Sequence, residues 1–278
     1  MSLYSDRMKD HLARYKRERL GVDGDGVWLN NGEAYPHILP QHLSRLNIVE
    51  TIRSEFWRFF DAHRATLPLH KDFHHLNSSQ AFAFNLLFPW MGTDSSQAEL
   101  FAGLGVEPRV ARTWAFECMP DEAERTTFDL HAEFAGGSRV LLEVKLTEDQ
   151  FGSRVPSEAH RAKLRDTYAP RLASKVTPGG LGEEAFFLNY QLFRNVSHLD
   201  PDRGDVLVLL LPRANVLTWQ LADTFRTRYL VDRVRESVRL VAAEDLVAAL
   251  GQEGITARHR LQTHLELVCE KYLPPAGS

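Results

Sequence analysis

Residues 126–152, TTFDLHAEFAGGSRVLLEVKLTEDQFG, concentrate the side chains best placed to do chemistry. In the first half, apolar Phe128, Leu130, Ala132 and Phe134 alternate with Asp129, His131 and Glu133. A period of two is that of a strand with one apolar and one polar face. Ala135-Gly136-Gly137 then offers a three-residue turn with glycine for a left-handed position. In the second half Val140, Leu142, Val144 and Leu146 occupy one face, and Leu141, Glu143 and Lys145 the other. A three-residue turn sets Phe134 opposite Ser138, and counting down the ladder sets Asp129 opposite Glu143. Lys145 leaves the same face two residues further on. A slip of one residue would undo this shared face.

Two neighbouring carboxylates resist joint ionisation unless a cation lies between them, and hard oxygen ligands suit Mg²⁺, with Mn²⁺ as a substitute. Such an ion polarises a phosphoryl oxygen and acidifies a water, while the Lys145 ammonium could orient that water or offset transition-state charge. These needs match phosphodiester hydrolysis. Spacing alone also allows a solvated strand face with a cross-strand ion pair. Two features speak against that: Thr147-Glu148-Asp149 extends the acidic run, and the aliphatic density of the strand implies a central place in its sheet, where charge without purpose is costly.

The elements that must position this hairpin can be read around it. Residues 1–20 have helical composition and end at a glycine-rich break, 21–26. A second helix is expected over 43–65, with a broad apolar stripe from Leu46 to Phe60. Asn77-Ser78-Ser79 favours a helix start before the apolar segment 81–90, which should be buried. A short helix is expected over 94–104, then strands at 113–119, 126–134 and 139–146. Residues 154–178, rich in Arg, Lys and Pro, have no clear period before a helix at 183–196. A fully apolar strand follows at 205–211, expected in the sheet interior and covered on both faces. Residues 219–231 and those from 245 onward read as helical, with a short strand at 238–241. The order is that of an α/β chain, read as a single domain, 1–278: an N-terminal helical arm (1–69), a core (about 70–220) and a C-terminal helical segment (221–278).

The sequence of Asp129, then Glu143-Val144-Lys145, in a helix, three strands, helix, strand order resembles the PD-(D/E)XK nucleases. More closely, it is similar to a bacterial branch of restriction-endonuclease-like proteins. That similarity rests on Leu76-Asn77-Ser78-Ser79-Gln80-Ala81 with Asn85-Leu86-Leu87-Phe88, on Phe116-Glu117, on Thr127-Phe128-Asp129, on residues 142–148, and on Gln191-Leu192-Phe193-Arg194-Asn195. The resemblance implies an αβββαβ mixed sheet flanked by helices. It implies that Asp129, Glu143 and the Val144 carbonyl bind metal, that Lys145 acts on the water or the phosphate, and that Gln191 supports the site, with Ser79, Gln80, Glu148 and Arg194 nearby. The superfamily often places a further acid on the first core helix, where this chain has Gln80; Glu117 or Glu99 is left to supply it. The proline before the first acid is also replaced, by Phe128.

Composition sets the wider bounds. The chain has 278 residues, 44% apolar and 25% charged, with a formal net charge of -4, so a large core is available and no basic tail is present. A mildly acidic total can still hide a basic face, and Arg154, Arg161, Lys163, Arg165, Arg171 and Lys175 follow the hairpin. Cys118 and Cys269 stand far apart and without CxxC spacing, which indicates neither a disulfide framework nor a cysteine zinc site. No apolar run reaches the length of a membrane span, so a cytoplasmic protein is expected. His70, His74 and His75 have helical spacing for a zinc pair but no HExxH pattern. Asp23 and Asp25 in the glycine-rich break lack the terminal Glu of a calcium loop. Arg194 has either a phosphate or Glu183 and Glu184 as partners. The leading expectation is a metal-dependent nuclease acting on nucleic acid, DNA before RNA, and a homodimer would suit double-strand cutting. The rivals are a non-catalytic nucleic-acid-binding or regulatory protein retaining the fold, and a two-carboxylate glycoside hydrolase, which the Lys145 position and the lack of an aromatic platform disfavour.

Overall fold

The computed structural model describes residues 3–252 and 259–274. Near the N-terminus, helix α1 (Leu3–Glu18) leads into a small ribbon, β1 (Gly26–Val27) paired with β2 (Ala34–Tyr35). Then come α2 (Glu50–His63), α3 (Ser79–Leu87) and α4 (Asp94–Gly103). An antiparallel meander follows: β3 (Ala111–Cys118), β4 (Phe128–Phe134) and β5 (Arg139–Val144). Helices α5 (Glu158–Lys163), α6 (Ala169–Leu172), α7 (Glu183–Leu188) and α8 (Tyr190–Ser197) carry the chain to β6 (Val206–Leu211), which lies parallel to β5. After α9 (Val216–Tyr229) and α10 (Asp232–Glu236) comes β7 (Val238–Ala242), parallel to β6, and then α11 (Ala243–Leu250) and α12 (His259–Tyr272).

One five-stranded mixed sheet therefore runs β3-β4-β5-β6-β7. Parallel strands need long crossovers, and these put helices on both faces. That is why β5 and β6 are buried along nearly their whole length. Leu130, Leu142, Val208 and Leu210 pack into a layer with α1–α4, α11 and α12, while Leu141, Leu207, Leu209 and Leu211 pack into a second layer with α6–α10. The expected helix, three strands, helix, strand core is present as α3, β3, β4, β5, α8 and β6, with β7 adding a fifth strand.

Several sequence expectations are corrected. Residues 43–65 divide into a 3-10 stretch, Gln41–Asn47, and α2, because Val49 leaves helical geometry and gives its N–H to Asn85 Oδ1 at 2.8 Å. Residues 183–196 divide at Asn189 (φ -112, ψ 38). The segment 154–178 is helical from Glu158 to Leu172, capped by Ser157 and carrying a π turn at Leu164–Tyr168 that disturbs the 3.6 repeat. The helix expected at 219 starts at Val216, capped by Asn215. Within the N-terminal helical arm, α1 buries Met8 and Leu12 in the first layer, with Tyr15 also buried, and packs against α12. Asp25 is held by the buried Lys16 ammonium at 3.0 Å, so the glycine-rich turn is a structural corner. Part of the helix expected from 245 onward, 253–258, lies outside the described residues. No helix among the described residues is long and apolar enough to cross a membrane.

Candidate functional site

The hairpin turn closes with Phe134 bonded to Ser138 at 2.9 Å and with Gly136 and Gly137 at φ 92 and 85, values that only glycine adopts freely. From there the ladder runs Glu133↔Arg139, Ala132↔Val140, His131↔Leu141 and Leu130↔Leu142. Continued by one step, this register puts Asp129 opposite Glu143. The paired ladder stops there, and the Asp129 carboxylate takes over: Oδ2 accepts the Val144 N–H at 2.6 Å. Phe128, expected on the Leu130 face, instead packs in the second layer against His198, ring centroids 5.7 Å apart, where β4 has left β5 but still pairs with β3 at Cys118.

Helix α8 lies across the open end and addresses two glutamates with two pairs of side chains, each pair four residues apart and so on one helical face. Gln191 Nε2 and Asn195 Nδ2 donate to the two oxygens of Glu143 at 2.7 and 3.2 Å. Arg194 Nε and His198 Nε2 meet the two oxygens of Glu124 at 2.8 and 2.7 Å. Arg194 thus pairs with neither Glu183 nor Glu184. Glu124, 1% exposed and also bonded by Tyr168, pins the loop between β3 and β4. Burial alone would raise its carboxyl, but hydrogen bonds from His198, Thr126, Tyr168 and Arg194 hold it well below the usual range.

Asp129, Glu143, Val144 and Lys145 line a cavity of about 560 Å³, together with Glu117, Gln191, Glu148 and Asp149 and with Asn77, Ser78, Ser79 and Gln80. Lys145 Nζ sits 2.8 Å from Glu143 Oε1. Burial works against its charge, yet Glu143, Glu148 and Asp129 outweigh it and hold the ammonium well above its ordinary range. Burial, then the charges of Glu143 and Glu117, push the Asp129 carboxyl far up. Glu117, at φ 50 in β3, is pushed to about 7 by burial and by Glu143, with Gln80 and Lys145 acting the other way. Six carboxylates (Asp72, Glu117, Asp129, Glu143, Glu148 and Asp149) thus face two lysines, Lys9 and Lys145. Carboxylates outnumber ammonium groups six to two in the lining.

The other candidates separate clearly. Ser78, not Ser79, caps α3, accepting from Ala81 N at 3.3 Å. Gln80 accepts from His70 N and donates to Pro68 O, fixing the loop before α3. Glu148 accepts from Leu146 N at 2.7 Å, and Asn215 Nδ2 holds the same loop by the Glu148 carbonyl. Glu99 lies on α4 and is not part of the cavity wall. His70, His74 and His75 are in a turn, His74 bonded to the Val27 carbonyl, and no group of three or more His, Cys, Asp or Glu among the described residues is placed to hold a metal ion. Asn195, Asn77 and Glu124 carried no expected role at the site; only Asn195, four residues after Gln191, had a local signal.

A family model described as Restriction Endonuclease associating with ARP matches residues 9–273. The chain belongs to this restriction endonuclease family. No curated protein and no solved structure matches it. The family assignment covers both helical layers and all five strands, so α1 and α12 are part of the family's unit.

Proposed function

We propose that the chain is a Mg²⁺-dependent nuclease of the PD-(D/E)XK type that hydrolyses phosphodiester bonds, DNA being the expected substrate. The observation that carries this is the convergence of Asp129, Glu143 and Lys145 on one cavity, with Asp129 and Glu143 opposed across the hairpin. The donor set fits the ion: Asp129, Glu143 and the Val144 carbonyl are hard oxygens, with Glu117 the further carboxylate. Their number is short of a full cage, as suits an ion that keeps waters and binds substrate phosphates. A bound cation would supply charge for a phosphoryl oxygen and acidify a water. Without such a cation the acidic lining would repel a phosphodiester.

The chain's own residues then have distinct tasks. Gln191 and Asn195 fix both oxygens of Glu143, so its orientation does not depend on ligand. Lys145, held protonated, orients the attacking water or balances charge on the phosphoryl oxygens. Asp129 is fixed through Val144 N–H, which ties it to the strand that carries the other two groups. The test is cleavage of supercoiled plasmid and single-stranded DNA with Mg²⁺ or Mn²⁺ by wild type, Lys145→Ala and Asp129→Ala. Metal-dependent cutting lost in both variants is the expected result. Cutting that survives both would overturn the assignment; no cutting by folded wild type favours a binding protein that retains the fold.

A further inference from the structure

A second cavity, of about 380 Å³, adjoins the first and shares Thr127 and Gln191 with it. Its walls include Thr126, Arg154, Tyr190, Arg194 and Asn195, and its charge is the reverse of its neighbour's: two guanidiniums and no carboxylate. Arg194 is committed to Glu124. Most of the basic stretch is committed too, Arg161 to Glu183, Arg165 to Glu158, Arg171 to Asp121, Lys163 to the Glu124 carbonyl and Lys175 to the Ser197 carbonyl. Arg154 is the exception. It is exposed, and its guanidinium lies 6.0 Å from the centroid of the Tyr190 ring, which Arg194 also approaches, at 5.2 Å.

Two residues lining the same cavity each carry a buried polar atom with no partner: Asn195, 0% exposed, at Oδ1, and Thr126, 4% exposed, at Oγ1. Because the Asn195 amide must turn its nitrogen to Glu143, its oxygen is fixed on the other side. A buried acceptor left unpaired costs on the order of 1–3 kcal/mol, a cost that an incoming donor removes. The loop between the cavities is anchored as well: Gly152, at φ 59, accepts the Gln191 N–H at 3.3 Å.

We propose that this cavity is the subsite for the nucleotide adjoining the bond that is cut. A phosphate lies at Arg154 beside Arg194, the sugar or base rests on Tyr190, and a hydroxyl or amino group of that nucleotide donates to Asn195 Oδ1, with Thr126 Oγ1 alongside. The volume lies within the range of small-ligand sites. The assignment rests on the nuclease reading of the neighbouring cavity, so its test has a readout that does not need cleavage.

The experiment is calorimetric titration of the full chain in EDTA with deoxyadenosine monophosphate and, separately, with inorganic phosphate. Wild type is compared with Arg154→Ala, Thr126→Val and the remote, exposed control Arg239→Ala. Expected are nucleotide binding by wild type, weakened roughly tenfold or more in Arg154→Ala, as loss of a charge-assisted contact predicts, several-fold in Thr126→Val, and within about twofold in the control. Inorganic phosphate should bind at least about tenfold more weakly than the nucleotide, since it reaches only the cation. No nucleotide binding, binding indifferent to Arg154, or equal binding of inorganic phosphate overturns the subsite. If nucleotide binding follows Arg154 while cleavage survives Asp129→Ala, the metal-site reading falls and the subsite stands; the converse sinks the subsite alone.

Discussion

Replacing Glu117 by Gln isolates the electrostatic cost of gathering these acids. Its carboxyl titrates at about 7 in the folded chain against 4.5 for an ordinary glutamate. A folded-state value raised in this way favours the folded state below 4.5, and the advantage is lost as pH rises through 7. At about 1.4 kcal/mol per pH unit, the loss comes to about 3 kcal/mol. Gln carries no charge, keeps the size, and tolerates the left-handed backbone at φ 50 no worse than Glu. Hence E117Q in EDTA should gain on wild type progressively from pH 4.5 to 8, by up to about 3 kcal/mol in urea unfolding followed by far-ultraviolet circular dichroism. Millimolar Mg²⁺ should shrink the gap by neutralising the wild-type cluster. A difference between the two proteins that stays flat within about 0.5 kcal/mol across that range would refute the burial and coupling of Glu117 with Glu143.

Asp129→Asn keeps an acceptor for Val144 N–H and removes a charge next to Glu143 and Glu117, so the metal-free protein should melt a few degrees higher while losing its stabilisation by Mg²⁺; an unchanged Mg²⁺ response in differential scanning calorimetry would contradict the ligand assignment. Asn195→Ala leaves Glu143 with one donor on α8 and should cut metal affinity or turnover about 10–100-fold, read by Mn²⁺ titration and steady-state cleavage. Glu124→Ala strands Arg194 and His198 and should cost about 3–5 kcal/mol in urea unfolding at pH 7. Because the Glu124 carboxyl is held low, its contribution is present above the ordinary glutamate range and is lost on acidification, so wild type and variant should converge toward acid pH.

The hairpin was legible because its period of two and a turn of fixed length leave one register, and that register determines which acids oppose each other. Strand β6 was legible because an uninterrupted aliphatic run fits only a place covered on both faces. The break before α2 was not, since it is made by a tertiary contact: Val49 breaks α2 away from the preceding turn by bonding Asn85, 36 residues on. The partner of Arg194 was hidden for the same reason, Glu124 being 70 residues away in a loop with no periodic signal. Phe128 kept the parity of its strand in sequence and lost it in space, beside Glu117, whose φ of 50 interrupts the regular pleat of β3 between Phe116 and Cys118.

Helix α12 closes the first layer: it packs on α1, α2 and α3, and its Tyr272 hydroxyl accepts from Asn85, the side chain that also receives the Val49 N–H. Residues from opposite ends of the chain therefore finish the layer that carries Lys9, Ser79 and Gln80. During synthesis the hairpin acids emerge long before α12 does, and until it docks the helices sharing the cavity with them lack their support. Completion of the cavity therefore waits until α12 has been made and docked, which spares the cell a partly made chain with a finished site.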